Sequence, residues 1–321
     1  MTTTFEDVVA ARGRISKYAQ TTPVFTSSTV DAMTGQQVFF KAENLQTTGS
    51  FKVRGALYAI SKLMENNPDV PGVVTHSSGN NAQAVAWVAR RYGLPCTVAC
   101  PSNASEAKIR AMKSYGAEVV FCEPNMKSRE ECAAAICAKT GRALIHSFDN
   151  VDVIAGQGTM AMEFLEQVPD LDAMLVCIGG GGMAAGVALT VKAMRPSCKV
   201  YLVEPEGKAL EKYLRAGQRD ANDSSYVATV ADGIRCKQVG KHNMPILCEN
   251  AEKNVLTVND TEIIDAMKFI WTRMKLVIET SAAAPVAALL SGKLAQVAPH
   301  LEKVGIILCG GNVDLNNLPW E

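Results

Sequence analysis

The sequence predicts an α/β protein built on two open, parallel-type twisted sheets with flanking helices. Three observations predict it. Short apolar runs rich in β-branched residues alternate with helix-length stretches along most of the chain, glycines close several of those stretches, and there are enough strand–helix units for two sheets. Alternation at this spacing places helices on both faces of parallel sheets.

The expected strands are 73–76, 97–100, 118–122, 143–146, 174–178, 199–204 and 305–309. Between them lie helix-like segments at 83–92, 105–115, 128–139, 157–167 and 184–194. An earlier helix opens near Ala56, with Leu57, Ala59, Ile60 and Leu63 as its apolar positions. Tyr92-Gly93-Leu94-Pro95 and Tyr115-Gly116-Ala117 mark helix ends, where glycine takes the left-handed conformation that closes a helix. Residues 72–149 hold four strands and three helices and form a candidate small domain, inserted into a larger one made of 1–71 plus 150–321. No internal repeat or low-complexity linker is visible. The polar stretch from Arg215 to Ser225 is the best candidate for a mobile surface loop.

A chain of 321 residues that is 48% hydrophobic can fill one large or two modest cores. Lys plus Arg and Asp plus Glu each number 32, so the net charge is zero and nothing favours nucleic acid or an anionic membrane. The longest apolar runs are far too short to span a bilayer. Met1-Thr2-Thr3-Thr4-Phe5-Glu6-Asp7 lacks the order of a signal peptide. The ten cysteines show no zinc-type spacing, and several fall in apolar segments where a thiol acts as a small hydrophobe. A soluble, cytoplasmic protein in a reducing compartment is expected.

Thr48-Gly49-Ser50-Phe51-Lys52-Val53-Arg54-Gly55-Ala56 sets one lysine between small polar residues and the start of an apolar helix. A solvated lysine at a helix start would leave the same local trace. Two further signals raise Lys52 above that. Ser77-Ser78-Gly79-Asn80-Asn81 follows an expected strand and precedes a helix, where backbone N–H groups with hydroxyls and amides beside them suit a carboxylate. An ordinary N-cap explains one such polar residue, and five in a row poorly. Gly179-Gly180-Gly181-Gly182-Met183 lies between an apolar strand and a helix, so its backbone can curl around a phosphate; a flexible linker would not be flanked by apolar elements. It is neither the dinucleotide fingerprint nor the Walker loop. A reactive amine, a polar helix-opening loop and a phosphate cradle are the parts needed to hold pyridoxal phosphate as a Schiff base. Phe51 could pack on the cofactor ring. Cys309 ends a strand where ligands bind in such sheets, although by itself it reads first as a buried core thiol. Glu204 and Glu279 also end apolar runs, as loop caps, ion-pair partners or occasionally metal ligands.

Taken together these residues resemble the fold-type II, tryptophan-synthase-β-like pyridoxal-phosphate enzymes, and within them the eukaryotic serine racemase and serine/threonine dehydratase family. The likeness covers nearly the whole chain. It takes in Lys41-Ala42-Glu43-Asn44, the Lys52 motif, Ser77-Ser78-Gly79-Asn80 and Ala155-Gly156-Gln157-Gly158-Thr159. It continues through the glycine run, Ala231-Asp232-Gly233, Met274-Lys275-Leu276-Val277-Ile278-Glu279 and Gly310-Gly311-Asn312-Val313-Asp314-Leu315. The resemblance implies a small domain closing over a small amino-acid substrate, and a homodimer. Lys52 would carry the cofactor and act as a base on one face of Cα, and Ser78 would work on the opposite face. Phe51 would pack against the pyridine ring, Asn80 would bond its phenolic oxygen, and Gly179, Gly180, Gly181, Gly182 and Met183 would hold the phosphate. Cys309 would sit beside the pyridine nitrogen. Ser77, Asn80 and Asn81 would hold the substrate carboxylate, Arg129 would stabilise the closed form, and Cys236 would lie near the substrate.

Four positions depart from the family pattern. Asn81-Ala82 replaces His-Gly, Cys236 replaces a serine, and Ser147 stands where many relatives have proline; the related aspartate racemases carry serines in this segment. The fourth concerns a divalent cation such as magnesium. Glu204 and the carbonyl of Lys208 match two of its ligands in relatives, but Leu210 replaces an aspartate, which puts the metal in doubt. The resemblance implies a serine-racemase-like enzyme that abstracts Cα–H and then reprotonates the other face or eliminates β-hydroxide. The alternatives are an aspartate racemase, a threonine or 3-hydroxyaspartate dehydratase, and, outside catalysis, a silent regulatory or binding subunit.

Overall fold

Ten strands sort into two sheets in the computed structural model, which describes residues 2–219 and 225–320. In chain order they are β1 (Val24–Thr26), β2 (Gln37–Lys41), β3 (Val73–His76), β4 (Cys96–Pro101), β5 (Glu118–Cys122), β6 (Ala143–Leu144), β7 (Ala173–Cys177), β8 (Lys199–Pro205), β9 (Leu256–Val258) and β10 (Lys303–Ile307). The six-stranded sheet runs β1-β2-β10-β7-β8-β9 and the four-stranded sheet β5-β4-β3-β6. Every neighbouring pair is parallel except β1 with β2. The four-stranded sheet is drawn wholly from residues 73–144, while the larger one collects strands from both sides of that stretch in the sequence.

Buried parallel strands read as continuous apolar runs, and β7 with the sequence Ala-Met-Leu-Val-Cys is buried at all five positions. Helix starts follow local chemistry. Ser105, Asn125 and Asn150 each accept a backbone N–H from the first turn of the helices Glu106–Ser114, Met126–Thr140 and Val151–Gln167. Gly93 and Gly116 adopt positive φ just past helix ends, as their sequence context requires.

Several boundaries differ from expectation. The segment at 143–146 is a strand only to Leu144, because the ring of His146 captures the N–H groups of Phe148 and Asp149 and bends the chain into a turn. Strands β1 and β9, three residues each, are too short to show a period, and β2 ends in a lysine that is buried. Helix Thr280–Leu290 is buried over ten of its eleven residues, so it lacks the amphipathic rhythm that reveals a surface helix. Of the stretch from Arg215 to Ser225, the first residues finish helix Leu210–Ala216 and its Gly217 cap, and residues 220–224 lie outside the described residues. Among the described residues no helix is long and apolar enough to cross a membrane.

Candidate active site

Lys52 is the first residue of helix Lys52–Asn66. The start of that helix is pinned to the end of β10: Phe51 N donates to Cys309 O at 3.1 Å, and Ser50 pairs with Gly310 across an isolated bridge. One turn inside, the buried guanidinium of Arg54 is gripped by Glu43 and by Glu163, each through two contacts of 2.8 Å. Removing one member of such a buried set costs about 3–5 kcal/mol, so the helix is held firmly behind Lys52.

A cavity with about 1040 Å³ of empty space, its open mouth included, lies between the C-terminal ends of the two sheets. The nominated cofactor and substrate residues all line it: Phe51, Lys52, Ser77, Ser78, Asn80, Asn81, Arg129, Gly179, Gly180, Gly181, Gly182, Met183, Cys236 and Cys309. Glu204 does not. Lys52 Nζ donates to Ser147 O at 2.7 Å and sits 5.2 Å from the centre of the Phe51 ring. Burial lowers its pKa from 10.5 to about 8, because the charged form loses water and gains no carboxylate in direct contact among the described residues.

On the side of the smaller sheet, Ser77 Oγ accepts from Gly79 N at 3.2 Å, which closes the loop that carries half-buried Ser78. Asn81 is buried and donates to Thr75 Oγ1 at 2.9 Å. The Asn80 amide is committed at both ends: it donates to Glu279 at 2.9 and 3.0 Å and accepts from Asn312 at 2.9 Å. Arg129 donates to the Tyr226 hydroxyl at 2.6 Å and to His76 O at 3.2 Å.

The glycine run is fixed by packing as well as by freedom. A Cβ on Gly180 would lie 2.4 Å from the Phe148 ring, and Gly181 sits at φ +94°. The run opens helix Gly182–Met194, whose first N–H groups have no partner within the helix. Among the described residues none of the N–H groups of residues 179–183 donates to a backbone or side-chain acceptor outside the helix. Such a nest takes a phosphate. Cys177 Sγ donates to Cys309 Sγ at 3.7 Å; that contact and burial together push the Cys309 thiol well above its ordinary pKa, so it stays neutral. A desolvated amine, an anion nest and a neutral thiol at one cavity fit pyridoxal phosphate.

Glu204 ends β8 away from the cavity, where burial raises its pKa and one oxygen accepts from Leu210 N at 3.3 Å. The ammonium of Lys208 donates to Ile178 O at 2.7 Å and to Gly179 O at 3.4 Å, just before the glycine run. Among the described residues no three His, Cys, Asp or Glu side chains group as a metal site.

Sequence reasoning gave no role to several residues that line the cavity. Lys108 pairs with Asp232 there, and Arg235 packs its guanidinium 4.4 Å from the centre of the Tyr226 ring. Lys108 looks like any exposed-helix lysine in sequence. Glu279, read from sequence as a loop cap, ion-pair partner or occasional metal ligand, also lines the cavity. Burial, then the neighbouring Asp232, pushes its carboxyl up to about 7. Its sequence signal was its place at the end of the apolar run from Leu276; in the structure it is the N-cap of helix Thr280–Leu290.

A family profile described as "Pyridoxal-phosphate dependent enzyme" matches residues 15–310. The chain is 44% identical over 316 residues to an L-threo-3-hydroxyaspartate ammonia-lyase of Pseudomonas sp., covering 97% of this chain and 96% of that protein. It is 42% identical over 319 residues to the serine racemase of Mus musculus, covering 98% and 93%. Among solved structures, a pyridoxal 5'-phosphate-dependent aspartate racemase superposes with a TM-score of 0.97 at 50% identity, covering 99% of this chain and 98% of that one. Match length, identity and a cavity suited to the cofactor agree: the chain belongs to the pyridoxal-phosphate dependent enzymes.

Proposed function

We propose that this enzyme racemises a small amino acid and also eliminates water from its β-hydroxy counterpart. The observation that carries the proposal is that Lys52 and Ser78 line one cavity from different sheets, Lys52 beside the end of the larger sheet and Ser78 just past β3 of the smaller. When bound, pyridoxal phosphate supplies the electron sink that makes Cα–H acidic. The chain's own residues do the rest. The N–H groups of residues 179–183 would hold the phosphate, Phe51 would pack on the ring, and Cys309 would offer the ring nitrogen a neutral thiol. The Ser78 hydroxyl and the backbone N–H groups of Asn80 and Asn81 would orient the substrate carboxylate, with Ser77 and the Asn80 amide holding the loop in shape. Lys52, neutral in part near pH 8, takes a proton at Nζ on one side. Ser78 Oγ gives or takes one on the other. Cys236 lines the substrate end.

A substrate with a second carboxylate is favoured by the charges facing the cavity: Arg129 and Arg235, beside the Lys108–Asp232 pair, against Glu279. The relatives named for hydroxyaspartate and for aspartate agree with that choice, while L/D-serine is the alternative that the serine racemases support. Residues 72–149 would close as a small domain over the rest, latched by Lys108 on Asp232 and Arg129 on Tyr226. A cytoplasmic homodimer belongs to the same proposal; ten free cysteines support the reducing compartment. No step is assigned to a divalent cation at Glu204.

The test is product analysis. L-serine, L-aspartate and L-threo-3-hydroxyaspartate are each incubated with the enzyme, and enantiomer and keto acid are measured on one sample. Lys52→Ala should abolish both products. Turnover by that variant would overturn the assignment of Lys52, and absence of any enantiomer from all three substrates would overturn the racemase.

A further inference from the structure

Between β6 and helix Val151–Gln167, three consecutive residues each touch a different part of the site. His146 stands edge-on between two rings, 4.9 Å from His76 and 4.7 Å from Phe148 by their centroids. Its Nδ1 accepts from Phe148 N at 3.3 Å and from Asp149 N at 2.9 Å. Ser147 turns its carbonyl to Lys52 Nζ at 2.7 Å. Phe148 fills the space that a side chain at Gly180 would claim. His76 directly precedes Ser77 and Ser78, so the row of rings joins the serine loop to the glycine run. The amine of Lys52 is tied to its middle.

An imidazole whose Nδ1 accepts two N–H groups carries its own proton on Nε2 and stays neutral. The two bonds fix the turn at 146–149, and with it the direction of the Ser147 carbonyl. A neutral amine that donates one N–H to that carbonyl keeps its lone pair turned away from it. Lys52 lines the cavity, so the lone pair is left free to meet a substrate proton there.

We infer that His146 is a positioning residue for Lys52: its Nδ1 shapes the turn that presents the Ser147 carbonyl to the amine, and its ring ties that turn to the serine loop and the glycine run. The inference rests on the role proposed for Lys52 and deepens it. His146 does not line the cavity and so acts only through its neighbours.

Substitutions at His146 separate the acceptor from the ring. His146→Asn keeps a side-chain acceptor in reach of the N–H groups two and three residues on, the geometry of an Asx-turn. His146→Phe keeps a ring in the stack and loses the acceptor, and His146→Leu loses both. Two quantities are measured on the full chain: steady-state kcat and KM with the cofactor bound, and the rate at which cofactor-free protein captures added pyridoxal phosphate, followed by visible absorbance. His146→Phe and His146→Leu should lower kcat by up to about 100-fold, the scale of an ångström-sized misplacement, with capture slowed in parallel and substrate KM held within about twofold. His146→Asn should restore most of both. A His146→Phe protein equal to wild type would overturn the inference, as would His146→Asn no better than His146→Leu. Should His146→Phe fail to fold, the comparison of Asn with Leu carries the same test. Lys52→Ala separates the two levels. If it still captures the cofactor covalently, the role of Lys52 falls and the inference with it. If it does not, and His146→Phe captures at the wild-type rate, the inference falls alone.

Discussion

The pH dependence of cofactor capture follows directly from the burial of Lys52. Its amine titrates near about 8 instead of 10.5, because the walls of the cavity exclude the water that would stabilise its charge. That displacement corresponds to roughly 3 kcal/mol of bias toward the neutral form. At about pH 7.5 an amine with pKa near 8 is roughly one-quarter neutral, against about one part in a thousand at the ordinary lysine value, a gain of about 240-fold. If the amine loses nucleophilicity with basicity as thiols do, about a tenth of that gain survives, or roughly twentyfold. The assay strips the cofactor from the full-length protein and mixes it with pyridoxal phosphate across a range of about pH 6.5 to about 9.5. Nα-acetyl-lysine run in parallel, its rate divided by its own fraction of neutral amine, supplies the cofactor's own pH dependence. After that correction the capture rate should rise about tenfold per pH unit up to about 8 and then level off. A corrected rate that climbs with the same slope to the alkaline end would show that Lys52 titrates as a solvated lysine, and the desolvation account would be wrong.

Two other perturbations test separate parts of the site. Ser78→Ala should lose most interconversion of L and D amino acid while keeping measurable keto acid from a hydroxy amino acid, because elimination needs only the Lys52 side; equal loss of both activities would make Ser78 a binding residue. Glu279 has its pKa raised from 4.5 to about 7, so the folded protein holds a proton that the unfolded chain releases, and stability falls as pH rises through that interval. Glu279→Gln removes the effect, so its melting temperature relative to wild type should improve between about pH 5 and about pH 7.5, by an amount worth up to ~3 kcal/mol. A constant difference across that range would mean that Glu279 is already ionised at the acid end.

What the sequence made legible was the chemistry carried by consecutive residues. The glycine run, the serine–asparagine loop and the Lys52 motif announce themselves because each is a local pattern that an ordinary helix or turn explains poorly. What stayed hidden depends on distant partners. Glu279 becomes important only when Asn80, some 199 positions away, donates to both its oxygens. Lys108 becomes a site residue only through Asp232, at a separation of 124. His146, which opens the turn at 146–149, was read as the last residue of a strand, since no propensity scale anticipates a histidine ring that accepts two backbone N–H groups.

A lowered pKa does not by itself single out the catalytic lysine. Lys208 is pushed to about 8 as well, by the same loss of water. Lys41 is buried too, and its pKa is lowered by desolvation, but Glu163 holds it at 2.9 Å as one half of an ion pair. Lys208 lies outside the cavity lining, and its N–H groups are engaged by the carbonyls of Ile178 and Gly179. An ammonium there pins the backbone that leads into the glycine run, and its neutral form would give up those two contacts. Lys52 differs from both. It opens into the cavity, makes one contact with a carbonyl that a turn has aimed, and faces no carboxylate within ion-pair distance among the described residues. Desolvation supplies the reactive form of the amine, and access decides which of the desolvated lysines can use it. Burial and aim, taken together, support the proposal that Lys52 is the reacting lysine.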